Sequence, residues 1–502
     1  RETKAHVKKK IQLFCSAPDP RDMLAVRRSI RHHCIMKNAT LHSFLRNSGS
    51  VAERLARGKQ LRQRSPRSTL AGFAVQTNRS LPVDVLRQQA ASRVAELIPI
   101  RHARMAADPF AFYRGGAALM AHDLSRLPSP KITVQLCGDM HVSNFGFFST
   151  TERRLVFGIN DFDETLPGHF DWDLKRLAAS AMIAAESLGQ DRVYGGDIIR
   201  LITRTYRMQL ARYAQMPYIE LARSFIDEDY LLAEAKRINA SARGFVKRHI
   251  AKARKNTSLG VIGKITMDTP TGRRLIENPP LVSRYTHTVS GRPIADGLND
   301  CLKSYARSLL SDRQHTLAQY RLVDFARKVV GVGSVGTRCW IIYMEGLDEN
   351  DPLFLQYKEA LPSVLSPYFS DRIFRSQGER VVHGQRLIQG APDLFLGYGK
   401  NPEAQFYVRQ LRDMKGGIAF GEGGIGPDEF PDYARLFGWA LANAHARSGD
   451  PAILAGYCGQ GEQLDEAMVR FAEAYSTQNQ ADYDTFLKAI RTGKLACTAE
   501  NF

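Results

Sequence analysis

The sequence predicts an α+β protein in which a short β-rich segment lies between two helical segments. Apolar residues recur with helical spacing through most of residues 71–322 and 416–502. Residues 323–415 instead carry short strand-like runs separated by glycine-rich and polar turns. With 502 residues, 44% of them hydrophobic, the chain can bury a large core. We therefore expect a helical lobe, a small β-rich lobe, and C-terminal helices that return to the helical lobe.

Residues 1–70 are predicted to form a basic arm. They contain 17 of the 70 Lys and Arg residues but only 4 of the 51 Asp and Glu residues, so they hold +13 of the formal net charge of +19. Apolar residues are sparse in this segment, although residues 51–61 have the spacing of a short helix. We expect a solvated, disordered leader, and a tether to nucleic acid or to an anionic surface is the alternative.

The cysteines and the apolar runs indicate a cytoplasmic protein without a membrane span. Seven cysteines are scattered along the chain with no Cys-x-x-Cys pair, which argues against a disulfide framework or a zinc ribbon and for a reducing compartment. No apolar run in the sequence reaches the roughly 18 residues that a membrane-spanning helix needs.

A first polar loop, residues 137–144, follows a predicted strand at residues 132–136. It contains Asp139, His141 and Asn144. A carboxylate at such a position can orient or deprotonate a hydroxyl group, and a carboxamide oxygen can bind a hard cation. A capped turn is the alternative, because Asp, Asn and Gly favour turns.

An acidic loop, residues 160–165, follows the next predicted strand at residues 155–159. Asp161 and Asp163 offer the oxygen ligands that Mg²⁺ prefers, and their position after a consecutive strand favours one shared site over two capped turns. Asp173 opens the helix that follows, where an Asp side chain caps backbone N–H groups. We expect Asp173 to organise the loops and to take no part in chemistry.

A glycine-rich turn marks the β-rich segment. Gly331, Gly333 and Gly336 follow a strand-like run, and β-branched and aromatic residues come directly after them. A second strand is therefore predicted here, whereas a dinucleotide-binding fold would require a helix. In kinases, the nucleotide phosphates are covered by a glycine-rich turn between two strands, which is the arrangement predicted here. An ordinary glycine hairpin is the alternative.

Lys358 ends the strand predicted at residues 353–357, beyond the glycine-rich turn. A lysine on such a strand pairs with nucleotide phosphates in kinases, although a lone lysine at a strand end is more often a solvated edge residue. The expected ion-pair partner of Lys358 is Glu379 on the next helix, and the adjacent Glu359 is the alternative.

The two loops resemble the catalytic and metal-binding loops of aminoglycoside phosphotransferases and choline kinases. The resemblance lies in CGDMHVSNFG at residues 137–146 and NDFDET at residues 160–165. Residues 57–492 as a whole resemble the bacterial family called domain of unknown function 2252 (DUF2252). Further pieces that resemble this family are FAFYRG at 110–115, WDLKRLA at 172–178, GVGSVGTR at 331–338, GQRL at 384–387 and YVRQLRDMK at 407–415.

The kinase resemblance implies a role for each polar residue of the two loops. Asp139 would be the catalytic aspartate, with His141 in a supporting position two residues later, as in small-molecule kinases. Asn144 and Asp161 would be metal ligands, and Asp163 would be a second acidic ligand.

The same resemblance implies a nucleotide-binding set around the glycine-rich turn. Its members are Gly331, Gly333, Ser334, Gly336, Lys358 and Glu379. Arg114 and Arg338 would add contacts to phosphate.

The order of these motifs is reversed relative to a kinase, in which the glycine-rich loop and the lysine precede the catalytic loop. Circular permutation reconciles the two orders, and it is tolerated when the cut falls in exposed connections. The predicted fold is therefore a two-lobed, protein-kinase-like fold in permuted order. It requires Lys358 to lie near Asp161.

We expect a kinase-like phosphotransferase that uses ATP and Mg²⁺ to phosphorylate a hydroxyl group of a small molecule. One alternative is a nucleotide-binding regulatory protein without turnover, and another is a metal-dependent hydrolase built on Asp139, His141, Asp161 and Asp163. Nucleic-acid binding has no support outside the arm, because the sequence lacks aromatic stacking motifs and a recognisable helix module. The motifs identify neither the acceptor nor an oligomeric state.

Overall fold

The structure is a computed structural model of the chain. The residues it describes are 49–75, 79–238, 240–285, 291, 293–329, 331, 333, 335–421 and 423–498. The predicted arm up to residue 48 and Ser334 of the glycine-rich turn lie outside the described residues. Helices and several small sheets alternate along the described chain, which confirms the α+β class.

Helices lead from the start of the described chain to the first polar loop. They are α1 (Val51–Arg64), α2 (Pro82–Ala90), α3 (Ile98–Met105), α4 (Pro109–Gly115) and α5 (Ala117–Leu124). Asp108 caps α4 by accepting a hydrogen bond from the backbone N–H of Ala111 at 2.7 Å. The cap fixes the start of the helix that carries Arg114.

Two pairs of antiparallel strands hold the two polar loops. The strands are β1 (Thr133–Leu136), β2 (Phe145–Ser149), β3 (Leu155–Ile159) and β4 (Leu166–His169). Leu136 of β1 lies opposite Leu166 of β4, and Phe145 of β2 lies opposite Ile159 of β3. The first polar loop and the acidic loop therefore begin and end at shared strand pairs, which keeps them side by side.

Helix α6 (Phe170–Ser187) follows β4 and is buried from Phe170 to Ala185. Alanine and leucine dominate its sequence, so every face of the helix can pack. The elements that come next are α7 (Arg192–Tyr213), α8 (Tyr218–Ala222), β5 (Ile226–Asp227), α9 (Glu228–Ile238) and α10 (Ala240–Lys255). Strand β5 extends the β2–β3 pair by pairing with β3.

The β-rich lobe is larger than the predicted segment 323–415. Its elements are α11 (Ser258–Ile265), β6 (Thr266–Thr269), β7 (Gly272–Leu275), β8 (Val282–Ser283), α12 (Ile294–Ala306), α13 (Ser311–Leu317), β9 (Arg321–Lys328), β10 (Cys339–Glu345), β11 (Pro352–Glu359), α14 (Gln377–Gln389), β12 (Gly397–Lys400) and β13 (Gln405–Gln410). Strand β8 pairs with β9, and α12 packs against the same sheet. Strand β8 and helix α12, which come before residue 323, therefore pack with the main sheet of this region.

The main sheet of this lobe has the strand order β12-β13-β11-β10-β9-β8, with antiparallel neighbours. Lys358 lies opposite Cys339 on one side and opposite Tyr407 on the other, so these three side chains share one face of the sheet. The alternate residues Trp340 and Tyr357 lie on the other face, in a separate apolar cluster with α12. The register thus directs Lys358 away from that cluster.

The C-terminal part of the described chain packs against helices that precede the β-rich region. Its elements are β14 (Gly416–Gly417), α15 (Phe430–Ser448), α16 (Pro451–Cys458) and α17 (Gln463–Arg491). Strand β14 pairs with β2, and α15 and α17 pack against α7 and α6. Among the described residues, no helix combines the length and the apolar character that crossing a bilayer requires.

Helix α1 packs on α16, which corrects the second part of the predicted arm. A Cβ atom on Gly58 would lie 2.2 Å from the backbone oxygen of Ile453, so the two helices are too close for any residue other than glycine at this position. Arg54 forms an ion pair with Asp450 at 3.2 Å. Sparse apolar residues suggested a disordered leader here, but α1 docks through close backbone packing and arginine contacts.

Candidate functional site

Asp173 fixes the start of the first polar loop from the first turn of α6. Its Oδ2 accepts a hydrogen bond from the backbone N–H of Cys137 at 2.7 Å, and its Oδ1 accepts one from Gly138 at 3.0 Å. Buried N–H groups need such partners, since an unpaired one costs about 1–3 kcal/mol. Asp173 therefore organises the loop, as the sequence predicted.

Gly138 brings the first polar loop against the acidic loop. Its φ is +86°, and a Cβ atom there would lie 2.3 Å from the backbone oxygen of Glu164, so only glycine fits. The backbone N–H of Asn160 donates to the oxygen of Asn144 at 2.8 Å. The two loops thus form one unit through their backbones.

Asp139 forms an ion pair with Arg176 of α6. Its Oδ1 accepts a hydrogen bond from Nε at 2.7 Å and lies 2.6 Å from Nη2. The guanidinium group stacks on Tyr113, with its central carbon 4.3 Å from the ring centre. The Asp139 side chain keeps 19% of its surface exposed, whereas Arg176 keeps 3%. Asp139 therefore has a fixed orientation and an accessible second oxygen.

Arg176 has a central place in the site that the sequence did not predict. It lies three residues after Asp173 on α6, so both side chains lie on the same side of that helix. This i, i+3 spacing is the sequence signal that could have identified Arg176.

Asn144 and His141 flank Asp139. The Nδ2 of Asn144 donates to the backbone oxygen of Asp139 at 2.6 Å, which fixes the carboxamide within the loop. The Nε2 of His141 lies 3.9 Å from Asp139 Oδ2. Burial, with Arg114 and Arg176 nearby, holds the pKa of His141 well below its usual value, so the imidazole is neutral.

Asp163 pairs with Lys358 across the two lobes. Its Oδ2 binds the Lys358 ammonium group, and its Oδ1 accepts a hydrogen bond from the Tyr407 hydroxyl at 2.8 Å. Although burial opposes ionisation, Lys358 and Tyr407 lower the pKa of Asp163 below its usual value. Each carboxylate oxygen of Asp163 thus has a protein partner in the β-rich region, and its expected role as a second metal ligand stays a prediction.

Asp161 differs from Asp163 in its surroundings. Burial and the neighbouring Asp163 raise its pKa above the usual value, while Lys358 and Arg409 oppose the shift. Its Oδ1 accepts a hydrogen bond from the backbone N–H of Asp163 at 3.2 Å. A bound cation would favour the ionised form of such a carboxyl group.

Neither predicted glutamate partner pairs with Lys358. The Glu379 carboxylate accepts a hydrogen bond from the backbone N–H of Arg375 at 2.6 Å, near the start of α14. The Glu359 carboxylate binds Arg338 at 2.7 Å. The expected pair is therefore corrected: Lys358 uses Asp163, because successive residues of a strand point to opposite faces and α14 turns Glu379 away.

Arg380, the residue after Glu379, is the side chain that α14 directs at the acidic loop. It is fully buried and donates to the backbone oxygens of Asp163 at 2.8 Å, Thr165 at 2.7 Å and Leu361 at 2.9 Å. It thereby ties the acidic loop to the β-rich lobe.

The predicted phosphate contact Arg338 lies away from Lys358. It lines a cavity of about 720 Å³ on the other face of the sheet, together with Trp340 and Tyr357. This placement corrects its expected role.

The glycine-rich turn reaches over the loops only in part. Gly331 and Gly333 are exposed, whereas Gly336 is buried with φ +92°. The oxygen of Gly336 accepts a hydrogen bond from the backbone N–H of Val94 at 2.8 Å, and a Cβ atom at Gly336 would lie 2.9 Å from the Cβ atom of Arg93. The turn is therefore held by the segment before α3.

A small cavity of about 30 Å³ lies between the turn and the loops. Its lining includes Gly333, Asp139, Asp161, Asp163 and Arg114. The structure thus brings the predicted catalytic aspartate, both acidic-loop carboxylates, one predicted arginine and one turn glycine to a single space.

A family model described as "Uncharacterized protein conserved in bacteria (DUF2252)" matches residues 93–489. The chain belongs to the DUF2252 family. The matched region contains both polar loops, the glycine-rich turn and Lys358. Comparisons with curated proteins and with solved structures returned no match.

Basic side chains that the sequence did not single out line the DUF2252 cleft beside Lys358. Arg409 lies over the Tyr407 ring and donates to the backbone oxygen of Asn160 at 3.1 Å. Burial and the neighbouring Arg409 hold the pKa of Lys415 well below its usual value. The motif at residues 407–415 carried these residues, but its spacing did not tell which face they occupy.

The oxygen donors of the DUF2252 site fit Mg²⁺. Among the described residues, no group of three or more His, Cys, Asp or Glu side chains could hold a metal ion. Mg²⁺ needs fewer protein ligands, because it usually takes one or two carboxylates and completes its shell with phosphate oxygens and water. Asp161, with its raised pKa, and the Asn144 carboxamide can supply such a partial set.

Proposed function

We propose that the protein is a kinase-like phosphotransferase that transfers the γ-phosphoryl group of ATP to a hydroxyl group of a small molecule. The observation that carries this proposal is the ion pair between Lys358 and Asp163. It joins the strand behind the glycine-rich turn to the acidic loop. The pair thereby brings Lys358 into one cleft with the carboxyl group of Asp161 and the oriented carboxylate of Asp139. Phosphoryl transfer requires these three parts: a lysine that binds phosphate, a metal ligand and a carboxylate that orients the acceptor.

The chain order of the β-rich lobe supports a permuted kinase-like fold. Strand β9, the glycine-rich turn, β10, the lysine-bearing β11 and helix α14 follow one another as the corresponding parts do in a kinase. The two polar loops precede this lobe in sequence and meet it in space at Lys358. This is the proximity that the permutation hypothesis required.

In the proposed reaction, the acceptor oxygen attacks the γ-phosphorus atom of ATP. The bond from that phosphorus to the bridging oxygen breaks, ADP leaves, and the hydroxyl proton passes to Oδ2 of Asp139. Arg176 holds Oδ1 and so directs the other oxygen into the cleft. Positioning of this kind supplies most of the catalysis in phosphoryl transfer.

Lys358, Arg409 and Lys415 bind the phosphates in this proposal. Their charges lie beside Asp161 and Asp163, and burial together with repulsion from the neighbouring Arg409 lowers the pKa of Lys415. Bound phosphate oxygens relieve this repulsion and compete with Asp163 for the ammonium group. Asp161 and Asn144 would hold Mg²⁺, which would neutralise charge at the phosphates.

Thermal unfolding with and without ATP and Mg²⁺ tests the proposal. A ligand that binds only the folded protein raises the melting temperature, so wild type should be stabilised and Lys358→Ala should not. Lys400→Ala, which changes an exposed lysine of β12, is the matched control and should respond as wild type does. The absence of any shift in wild type at millimolar ATP would overturn the proposal.

A nucleotide-binding regulatory protein without turnover is the second candidate. Arg176 favours it, because its guanidinium group already occupies Oδ1 of Asp139, the carboxylate that would receive the hydroxyl proton. Phosphate release from ATP separates the two candidates. Release that falls in Asp139→Ala supports the phosphotransferase, whereas equal background in wild type and variant supports the regulatory protein.

A further inference from the structure

Three arginines converge on the small cavity beside Asp139. Arg93, Arg101 and Arg114 line the same 30 Å³ space as Asp139 and Asp161. They come from α3, from α4 and from the segment before α3, all outside the β-rich lobe. Three guanidinium groups around one small space repel one another unless anionic groups lie between them.

Arg101 is the most deeply buried of the three, with 1% of its surface exposed. Its Nη2 donates to the backbone oxygen of Gly115 at 2.9 Å. Within the described residues, no acceptor meets its Nε or its Nη1. Burial, together with the nearby Arg93, holds the pKa of Arg101 well below its usual value. A buried charge with two unpaired donors is costly, so it indicates a missing ligand.

Arg93 and Arg114 show the same deficit. The Nε atom of each is buried and has no hydrogen-bond partner in the described part of the chain. Arg93 also donates from Nη1 to the backbone oxygen of Val335 at 2.6 Å, which ties it to the glycine-rich turn. Both half-buried side chains therefore keep donors available beside Arg101.

The nearby acids do not supply the missing acceptors. Glu164 lines the cavity, but its Oε2 accepts a hydrogen bond from the backbone N–H of Val364 at 2.7 Å. Asp163 is engaged by Lys358 and Tyr407, and Asp139 by Arg176. Asp161 also lines the cavity, and in the described part of the chain none of the three arginines forms a hydrogen bond or ion pair with these four carboxylates.

Arginines elsewhere in the molecule show what a satisfied buried arginine looks like. Arg79 binds the carboxylates of Asp123 and Asp482, each at 2.7 Å. Arg207 binds Asp465 at 2.9 Å. The donors of the fully buried Arg380 are met by backbone carbonyl oxygens instead. Arg101 departs from all three, because it keeps two buried donors without a partner in the described part of the chain.

The size of the cavity limits what could pair with the three arginines. At about 30 Å³ it has room for two or three waters, since one water needs on the order of 10–15 Å³. The oxygens of one phosphate group fit such a space, whereas a whole metabolite does not. Arginine donors in a fixed fork match phosphate geometry.

We propose that Arg93, Arg101 and Arg114 bind a terminal phosphate group, carried either by the nucleotide or by a phosphorylated acceptor. The part this group takes in phosphoryl transfer rests on the proposed function, whereas the anion site itself does not. Because Asp139 lines the same cavity, the bound phosphate would lie next to the point where the reacting hydroxyl group would meet Asp139.

Thermal unfolding with inorganic phosphate, compared with sodium chloride at equal ionic strength, tests the site. Phosphate should raise the melting temperature of wild type more than chloride does. Arg101→Met should weaken phosphate binding by about tenfold or more, the loss expected for one charge-assisted donor group. Arg87→Gln, at an exposed position on α2, is the control and should bind phosphate as wild type does.

The ligand-free melting temperature separates binding from a purely structural role. Removal of an unpaired buried charge should leave it unchanged or raise it in Arg101→Met. A lower melting temperature in Arg101→Met, with an unchanged phosphate response, would overturn the proposal. If Arg101→Met fails to fold, the half-buried Arg114→Gln carries the same test of phosphate affinity.

A non-hydrolysable ATP analogue with Mg²⁺ distinguishes the two sources of the phosphate. If the site holds the terminal phosphate of the nucleotide, the analogue abolishes the additional effect of inorganic phosphate, whereas ADP leaves it intact. If the site holds an acceptor phosphate, the two effects add. Phosphate binding without nucleotide binding supports the anion site and contradicts the phosphotransferase. If nucleotide binds through Lys358 but inorganic phosphate does not raise the melting temperature, the anion site is contradicted and the phosphotransferase proposal is not.

Discussion

Lys358 and Asp163 form a buried ion pair between residues that are 195 positions apart in the sequence. Tyr407 completes the arrangement by donating to the second oxygen of Asp163. The Lys358 side chain is only 4% exposed, so the pair is poorly solvated. The loss of one partner should therefore lower the free energy of unfolding strongly.

Lys358→Met should destabilise the protein by about 3–5 kcal/mol, because it leaves the Asp163 carboxylate buried without its counter-charge. Urea denaturation measures the change. The double variant Lys358→Met/Asp163→Asn should recover much of the loss, since neither charge remains. Equal stability of the single and double variants would show that the pair does not act as a unit.

Asp173→Ala should lower the free energy of unfolding by about 2–4 kcal/mol, because two buried N–H groups of the first polar loop lose their acceptor. Asp191→Ala removes a helix cap on the surface, where Asp191 accepts from Tyr194 at 2.8 Å, and should cost about 1 kcal/mol. A comparable loss in both variants would contradict the special role of Asp173.

Glu379→Gln should change stability by less than about 1 kcal/mol and leave stabilisation by ATP intact, because its carboxylate bonds only near the start of α14. Arg380→Met on the same helix should cost about 3 kcal/mol or more, since it removes donors to three backbone carbonyl groups. Denaturation of the two variants under identical conditions makes the comparison. A larger effect of Glu379→Gln than of Arg380→Met would instead support the ion pair between Lys358 and Glu379 that the kinase resemblance implies.

Stability should depend on pH through Asp413. Burial and the neighbouring Asp393 raise its pKa to about 6, although Arg153 lies 3.0 Å away. The folded state therefore holds this proton more tightly than the unfolded chain, whose Asp pKa is about 3.9. The free energy of unfolding falls as the pH rises from about 4 to about 6, and the penalty is complete above that range.

Asp413→Asn removes this penalty. At pH 8 the variant should be about 2 kcal/mol more stable than wild type, and below pH 4 the difference should vanish. Arg153→Gln is the control, and its effect should stay within about 0.5 kcal/mol because that side chain is largely exposed. A stability difference that is constant with pH would refute the assignment.

The sequence could predict the chemical groups of the site better than their partners. Asp139, Asp161 and Lys358 stand out because residue type and position after a strand are both visible in one chain. The choice of Asp163 over Glu379 depends on how α14 is rotated, which presents Arg380 to the loop and turns the adjacent Glu379 away. That rotation is decided by packing between lobes, which a single sequence does not encode in any local pattern.

Residues 51–61 showed helical spacing, but the docking of helix α1 onto α16 was not visible in the sequence, for a different physical reason. Its contact with α16 uses the absence of side-chain atoms at Gly58 and hydrogen bonds from arginine, so its apolar content is low. Apolar periodicity detects helices that pack through leucine and similar residues. The overall order of helical and β-rich segments was predictable, because it reflects periodicity over many residues.

Arg62 of α1 donates to the backbone oxygen of Tyr457, 395 residues later. On the ribosome, α1 emerges long before α16 has been synthesised. At roughly 5–20 residues per second, the glycine face of α1 lacks its partner for roughly 20–80 seconds. The first described helix thus finds its place only after α16 has been synthesised, and a nascent chain stopped before α16 exposes a surface that a chaperone could recognise.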